Sequence, residues 1–217
     1  EFRAILGPKG YSEENDVISP WLTDWRGRFT GSSPALLSPA NTQEVAAVIK
    51  LAAKHRISLV PQGGNSGMVA GATPDNSGQQ LILSLRRMNS IRTIDRAAGS
   101  AVAEAGVILQ NLHDAAAEHG LRFPLTLGAK GSATIGGLTS TNAGGTQVLR
   151  FGQVVQKGGE AVRHPVCRCA GQKAHPVAAG IFGHGLNIFR GCLVFYTTIQ
   201  IIPDRRPGTN RRVVNFS

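Results

Sequence analysis

No cysteine precedes Cys167, and the three present, Cys167, Cys169 and Cys192, are an odd number. An odd count argues against a complete disulfide framework and predicts reduced thiols. Aromatic residues make up only 6% of the chain, few for a module that interleaves aromatics with a basic face to hold nucleic acid. Long apolar runs are missing too: LILSL (81–85) and LVFY (193–196) are far too short to cross a bilayer. The opening EFRAILGPKG has no signal-peptide pattern and no initiator methionine. These absences predict a cytoplasmic chain without a transmembrane segment, a fragment or a processed product, with peripheral membrane contact left open.

Known chemical signatures are missing as well. No G-x-G-x-x-G follows an apolar strand, so a Rossmann site has no support. GAKGS lacks the Gly-Lys-Ser/Thr ending of a P-loop, and no G-x-S-x-G offers a nucleophile elbow.

What is present is glycine, 27 of 217 residues, in a chain of ordinary apolar content at 41%. Glycine in excess without a collagen period points to tight turns or ligand-hugging loops. The net charge of +10 is unevenly spread: residues 1–152 carry 14 Lys and Arg against 11 Asp and Glu, and residues 153–217 carry 9 against 2. All the cysteines fall in the second part, so the two parts need separate readings.

In the first part, NTQEVAAVIKLAAKH (41–55) predicts a helix. Asn41 and Glu44 suit a capping box, and Val45, Val48, Ile49 and Ala52 share one face. ISLVP (57–61), LILSL (81–85), IRTID (91–95) and SAVAEAG (100–106) predict strands. VILQNLHDAAAEHG (107–120) predicts a second helix with Ile108, Leu112 and Ala115 inward and Gly120 at its end. Its His113 and His119 read as surface residues rather than bases. Mixed strands and helices indicate an α+β or α/β domain.

Two glycine-rich stretches remain. PQGGNSGMVAG (61–71) follows the first strand, and TLGAKGSATIGGLTSTNAGGTQVLRFG (126–152) follows LRFPL. Backbone amides freed of Cβ obstruction can turn into a concavity and form an anion nest. The first stretch offers this from Gln62 to Gly67, with side-chain donors and acceptors on Asn65 and Ser66. The second offers it at Gly128, Gly131, Ser132, Gly136, Gly137, Asn142, Gly144 and Gly145. Two such loops suit a ligand with two phosphates and a long body.

PQGGNSGMVAGATPDNSGQQLILSLRRMNSIRTID resembles the pyrophosphate-binding segment of FAD-linked oxidases of the vanillyl-alcohol oxidase, or p-cresol methylhydroxylase, type. FPLTLGAKGSATIGGLTSTNAGGTQVLRFG resembles that family's second flavin segment. Together with WLTDWRGRFTGSSPALLSPANTQEVAAVIKLAAKH, they are most similar to the branch that oxidises D-2-hydroxy acids: D-2-hydroxyglutarate dehydrogenases, D-lactate dehydrogenases and the glycolate oxidase flavoprotein subunit. The resemblance covers residues 1–152 and implies an α+β, two-subdomain FAD-binding domain. It implies FAD contacts from Gln62, Gly63, Gly64, Asn65, Ser66 and Gly67, with Met68 nearby. It further implies them from Pro124, Thr126, Gly128, Ala129, Gly131, Ser132, Ile135 and Gly136, and from Asn142 and Gly144. GGNSG contains no histidine or cysteine, so the FAD is expected to be non-covalent. Lys130 is either a solvated side chain or a secondary phosphate contact.

The resemblance stops after Gly152. Residues 153–217 form a basic segment that departs from the family, read either as disordered or as the product of a reading-frame change, so the domain is truncated or altered there. Cys167, Cys169, His164 and His175 match no standard zinc spacing, and His184 in FGHGLN lacks an acidic neighbour, so no metal is expected.

The resemblance implies the FAD-binding portion of an oxidoreductase that takes a hydride from a small D-2-hydroxy acid, with an unknown electron acceptor. Catalytic residues are expected outside this chain. The alternatives are a non-catalytic FAD-binding remnant and a basic module acting through its tail on nucleic acid.

Overall fold

The computed structural model describes residues 1–151, 153–154 and 196–204. The chain opens with α1 (Phe2–Gly10), kinked where Gly7 takes φ 64 before Pro8. Next come β1 (Tyr11–Ser12), α2 (Asn15–Ile18), a 3₁₀ turn (Ser19–Trp21) and β2 (Leu36–Leu37).

Then α3 (Thr42–His55) begins where the sequence predicts. The Asn41 side chain accepts from Glu44 N–H at 2.8 Å, and Glu44 Oε2 accepts from Ala40 N–H at 2.7 Å. Those bonds satisfy amides that a helix start leaves unpaired. Val45, Val48 and Ala52 are buried on one face, and Ile49 packs beside them. The helix ends at Arg56, left-handed at φ 53, and feeds β3 (Ser58–Gln62). β3 lies parallel to β4 (Gln80–Ser84), which lies parallel to β2, and β1 adds antiparallel at the edge. Leu6, Leu37, Val48, Ala52, Leu59 and Leu83 form the core beneath this sheet.

The second unit is antiparallel. β5 (Ile91–Asp95) pairs with β6 (Ser100–Glu104). α4 (Leu109–Glu118) and β7 (Leu121–Arg122) follow, then α5 (Ile135–Ser140) and α6 (Val148–Phe151). β8 (Tyr196–Gln200) closes the other side of β6, and β9 (Ile202–Pro203) pairs with β7. Ala101, Leu109, Leu112, Leu125, Ile135 and Ile199 belong to one core.

Two expectations are corrected here. The buried face of α4 is Leu109, Leu112 and Ala116 rather than Ile108, Leu112 and Ala115. Ile108 instead caps the helix in extended backbone, which starts it two residues later than predicted and turns the face by one position. The glycine-rich second stretch is also not all loop: Thr134 Oγ1 accepts from Gly137 N–H and starts α5.

Part of the segment set apart after Gly152 is built into the fold, since Ile199 and Ile201 are buried in the second core. Cys167, Cys169, Cys192, His164, His175 and His184 lie outside the described residues. The two units join where Gly106 lies on the carbonyl of Leu85 and donates its N–H to Met88 O at 2.8 Å. No helix among the described residues is long and apolar enough to cross a membrane.

Candidate functional site

The first glycine loop leaves the carboxyl end of β3, the end at which parallel strands expose ligand sites. Its shape is set by side chains that bond away from the loop's interior. Gln62, buried, donates through Nε2 to the carbonyls of Trp21 (2.9 Å) and Ala72 (2.7 Å), tying the loop's two ends together. Asn65, left-handed at φ 49, donates through Nδ2 to Thr23 O at 2.7 Å. Asparagine is among the few residues that tolerate that conformation. Ala70 holds φ 52 in the same loop, a placement that costs about 1 kcal/mol for a residue with a Cβ.

The second loop is stitched to the segment between β6 and α4. Leu109 N–H donates to Ala133 O (2.9 Å), Gln110 N–H to Lys130 O (2.9 Å), Ile135 N–H to Val107 O (2.8 Å) and Gly136 N–H to Ala105 O (2.8 Å).

The two loops touch. A Cβ on Gly64 would overlap the carbonyl of Ser132, and one on Gly63 would overlap Thr134 Oγ1. These glycines therefore permit one loop to lie against the other, a role the sequence did not reveal. By contrast, a Cβ on Gly67, Gly128 or Gly131 would meet nothing within 4 Å. Those positions face open space.

Around them lie unspent donors. Among the described residues, the amides of Gly64 through Met68 and of Leu127 through Gly131 donate to no protein acceptor. Two runs of free amides in adjoining loops form a donor surface suited to a polyanion. Two cations border them: Lys130 sits within the second run, and Arg26 Nη2 reaches Met68 Sδ at 3.4 Å.

The predicted residues divide accordingly. Gly67, Met68, Gly128 and Gly131 are exposed in the two loops, Ser66 and Ala129 half-buried, and Thr126 and Ser132 exposed beside them. Gln62, Gly63, Gly64 and Asn65 frame the first loop as described. Three residues are placed otherwise than a side-chain contact requires. Ile135 is buried in the second core, Gly136 is pressed onto Ala105 with 2.7 Å left between its would-be Cβ and that methyl, and Pro124 is buried. All three are packed in the described fold. Asn142, left-handed at φ 49, donates through Nδ2 to Gln153 Oε1 (2.7 Å), and Gly144 makes room for Val148.

His113 is not the surface residue expected. It is half-buried in α4 beside the Phe123 ring (6.4 Å), its Nε2 has no partner among the described residues, and burial holds it below the usual imidazole range. His119 is exposed, with Nδ1 on Ala115 O at 3.0 Å.

The segment before β2, WLTDWRGRFT in the family resemblance, braces the first loop, a contact its sequence does not announce. Asp24 organises it: Oδ1 accepts from the amides of Arg28 and Phe29, both at 2.7 Å. The Phe29 amide, with those of Arg28 and Arg26, holds the Asp24 carboxyl below its usual range. From that turn the Trp25 indole N–H donates to Gly67 O at 3.0 Å.

The sequence and the fold both have known counterparts. Residues 33–157 match a family described as the FAD binding domain. The D-2-hydroxyglutarate dehydrogenase, mitochondrial, of Arabidopsis thaliana is 42% identical over 153 residues, covering 70% of this chain and 27% of that one. The D-2-hydroxyglutarate dehydrogenase of Xanthomonas citri pv. viticola is 38% identical over 129 residues, 59% of this chain and 27% of its own. The chain thus spans about a quarter of the length of these relatives. An alkyldihydroxyacetonephosphate synthase shares the fold with a TM-score of 0.73 at 19% identity, over 93% of this chain and 39% of that one. The 6-hydroxy-D-nicotine oxidase of Arthrobacter nicotinovorans does so with 0.63 at 20% identity, over 90% and 42%.

Proposed function

Since the chain belongs to the FAD-binding domain family, of the vanillyl-alcohol oxidase type in fold, and FAD is its cofactor, we propose that it is the flavin-holding portion of an oxidoreductase that converts a D-2-hydroxy acid into a 2-oxo acid. The observation that carries the reading is the pair of adjoining loops with free amides at 64–68 and 127–131. The residues fit the cofactor: a pyrophosphate is a compact dianion, and two amide runs with open space at Gly67, Gly128 and Gly131 can receive it without a cluster of lysines.

Bound FAD supplies the two-electron acceptor for a hydride from the substrate's C2. This chain's residues perform the holding. Gly64, Asn65, Ser66, Gly67 and Met68 offer amides from one side, and Gly128, Ala129 and Gly131 from the other. Thr126 and Ser132 border the second run. Gln62, Gly63, Ile135 and Gly136 fix the two loops against each other and against the sheet. Asn142 and Gly144 shape the turn before α6, and Pro124 leads into the second loop. GGNSG has no histidine or cysteine to form a flavin bond, so the FAD is held non-covalently. The groups that take the substrate's carboxylate and hydroxyl proton lie outside the described residues, and no catalytic residue is assigned. Residues 1–152 are proposed as the FAD-binding portion and 153–217 as a basic segment that contributes β8 and β9 to it. The mitochondrial placement in the Arabidopsis relative's name favours an organelle over the cytoplasm for a eukaryotic source.

The test is direct. The purified chain is incubated with FAD, freed of excess and scanned in the visible range. A retained oxidised-flavin spectrum that acid precipitation releases supports the reading; a colourless protein overturns it. Reduction of a dye with D-2-hydroxyglutarate or D-lactate then separates an active enzyme from an FAD-binding remnant.

A further inference from the structure

The family match begins at residue 33, so the Asp24–Phe29 turn lies ahead of it. This turn nevertheless makes the outer contacts of the first glycine loop. The Trp25 indole N–H donates to Gly67 O at 3.0 Å. In a trans peptide the carbonyl of one residue and the N–H of the next point in opposite directions. Pinning Gly67 O on Trp25 therefore turns Met68 N–H away from Trp25 and leaves it unspent. A peptide on glycine is otherwise free to flip. The Trp25 bond removes that freedom before any ligand arrives.

Arg26 completes the arrangement. Its guanidinium stacks on the Trp25 ring at 5.1 Å and places Nη2 on Met68 Sδ at 3.4 Å. A thioether is a weak acceptor, so a fork of five donors is held at the anion loop with little to bond. Arg26 takes part in no ion pair among the described residues. The Asp24 carboxylate is occupied chiefly by three backbone amides, of Phe29, Arg28 and Arg26, and the Arg26 charge acts on it more weakly, without an ion pair.

We propose that Trp25 and Arg26 form a clamp on the cofactor's phosphoanhydride: Trp25 is a positioning residue that presets the Gly67–Met68 peptide, and Arg26 supplies a cation to the first loop, which has none of its own. The clamp rests on the FAD reading above and adds two residues to it.

The experiment measures FAD affinity by quenching of flavin fluorescence, and the FAD-induced rise in melting temperature, in the full 217-residue chain at low and high salt. Arg26→Gln is expected to weaken FAD binding about tenfold at low salt, as loss of a charge-assisted hydrogen bond does. That deficit shrinks as salt rises, because screening weakens the charge it removes, and Arg26→Lys restores most of the affinity. Trp25→Phe keeps an aromatic face and loses the indole N–H together with its pyrrole ring. It is expected to weaken FAD about fivefold with an unchanged salt dependence, as loss of one neutral hydrogen bond does. The melting temperature without FAD stays at the wild-type value in Arg26→Gln, since the side chain is exposed. Either variant binding FAD like the wild type at low salt overturns the clamp while leaving the FAD site standing. A wild-type chain that binds no FAD overturns both.

Discussion

At the scale of single residues, glycines that look alike in the sequence do different work. Gly64 is hemmed in by the Ser132 carbonyl, whereas Gly67 faces open space. Gly64→Ala is therefore expected to lower stability by about 1–3 kcal/mol, because the loops must part to admit the methyl. Gly67→Ala is expected to leave the melting temperature without FAD unchanged and to weaken FAD retention alone. Urea unfolding paired with a flavin-binding titration distinguishes them. The open glycines leave room for close approach of a ligand, whereas Gly63 and Gly64 leave room for the second loop. No pattern in PQGGNSG tells one kind from the other, since the contact at Gly64 is made by a residue far along the chain.

Asp24 carries a second residue-scale prediction. Its folded carboxyl sits below the ordinary value, chiefly through the Phe29 amide. A depressed acid contributes stability that is fully present above its unfolded pKa of about 3.9 and is lost as pH falls through the folded value. The Trp25 contact with Gly67 should accordingly loosen only in strong acid. Indole fluorescence of a Trp21→Phe chain, followed down in pH, reports it. A signal already changing between pH 7 and 5 would count against Asp24 as the cause.

Among elements, local rules were legible where they were strong. Asn41 and Glu44 marked the start of α3, and its apolar period marked the buried face. The strand IRTID stands where it was expected, and SAVAEAG is a strand as far as Glu104. The errors have physical causes. Ile108 is drawn out of α4 by a bridge to Thr134, far along the chain, so tertiary pairing overrode a helical period. α5, IGGLTS, carries two glycines and a β-branched start that argue against a helix; it forms because Thr134 caps it and Ile135 and Leu138 are buried against the β5–β6–β8 sheet. The weight of that packing can be measured on α4. Leu112→Ala, at a fully buried site, is expected to cost about 2–5 kcal/mol in a denaturant titration. Ala115→Ser, one position along the expected face, should cost far less because the site is only half-buried.

For the molecule as a whole, the two-unit α+β plan and both glycine-rich loops could be read from residues 1–152, while the contacts that frame those loops could not. Gln62, Asn65 and Trp25 work through backbone carbonyls, and backbone acceptors leave no mark in a sequence. The return of β8 also lay beyond reach, since the basic composition after Gly152 gave no hint that Ile199 and Ile201 enter the core. That return bears on how the chain is made. β6 is the middle strand between β5 and β8, and its partner Tyr196 is paired to Glu104 across a long stretch of sequence. At ribosomal speeds of about 5–20 residues per second, the 92 residues from Glu104 to Tyr196 take roughly 5–20 s to emerge. During that interval one side of β6 is an open strand edge, with the second core still lacking Ile199 and Ile201. The nascent chain thus has a window in which a chaperone, or another copy's strand, competes for the place that β8 will take.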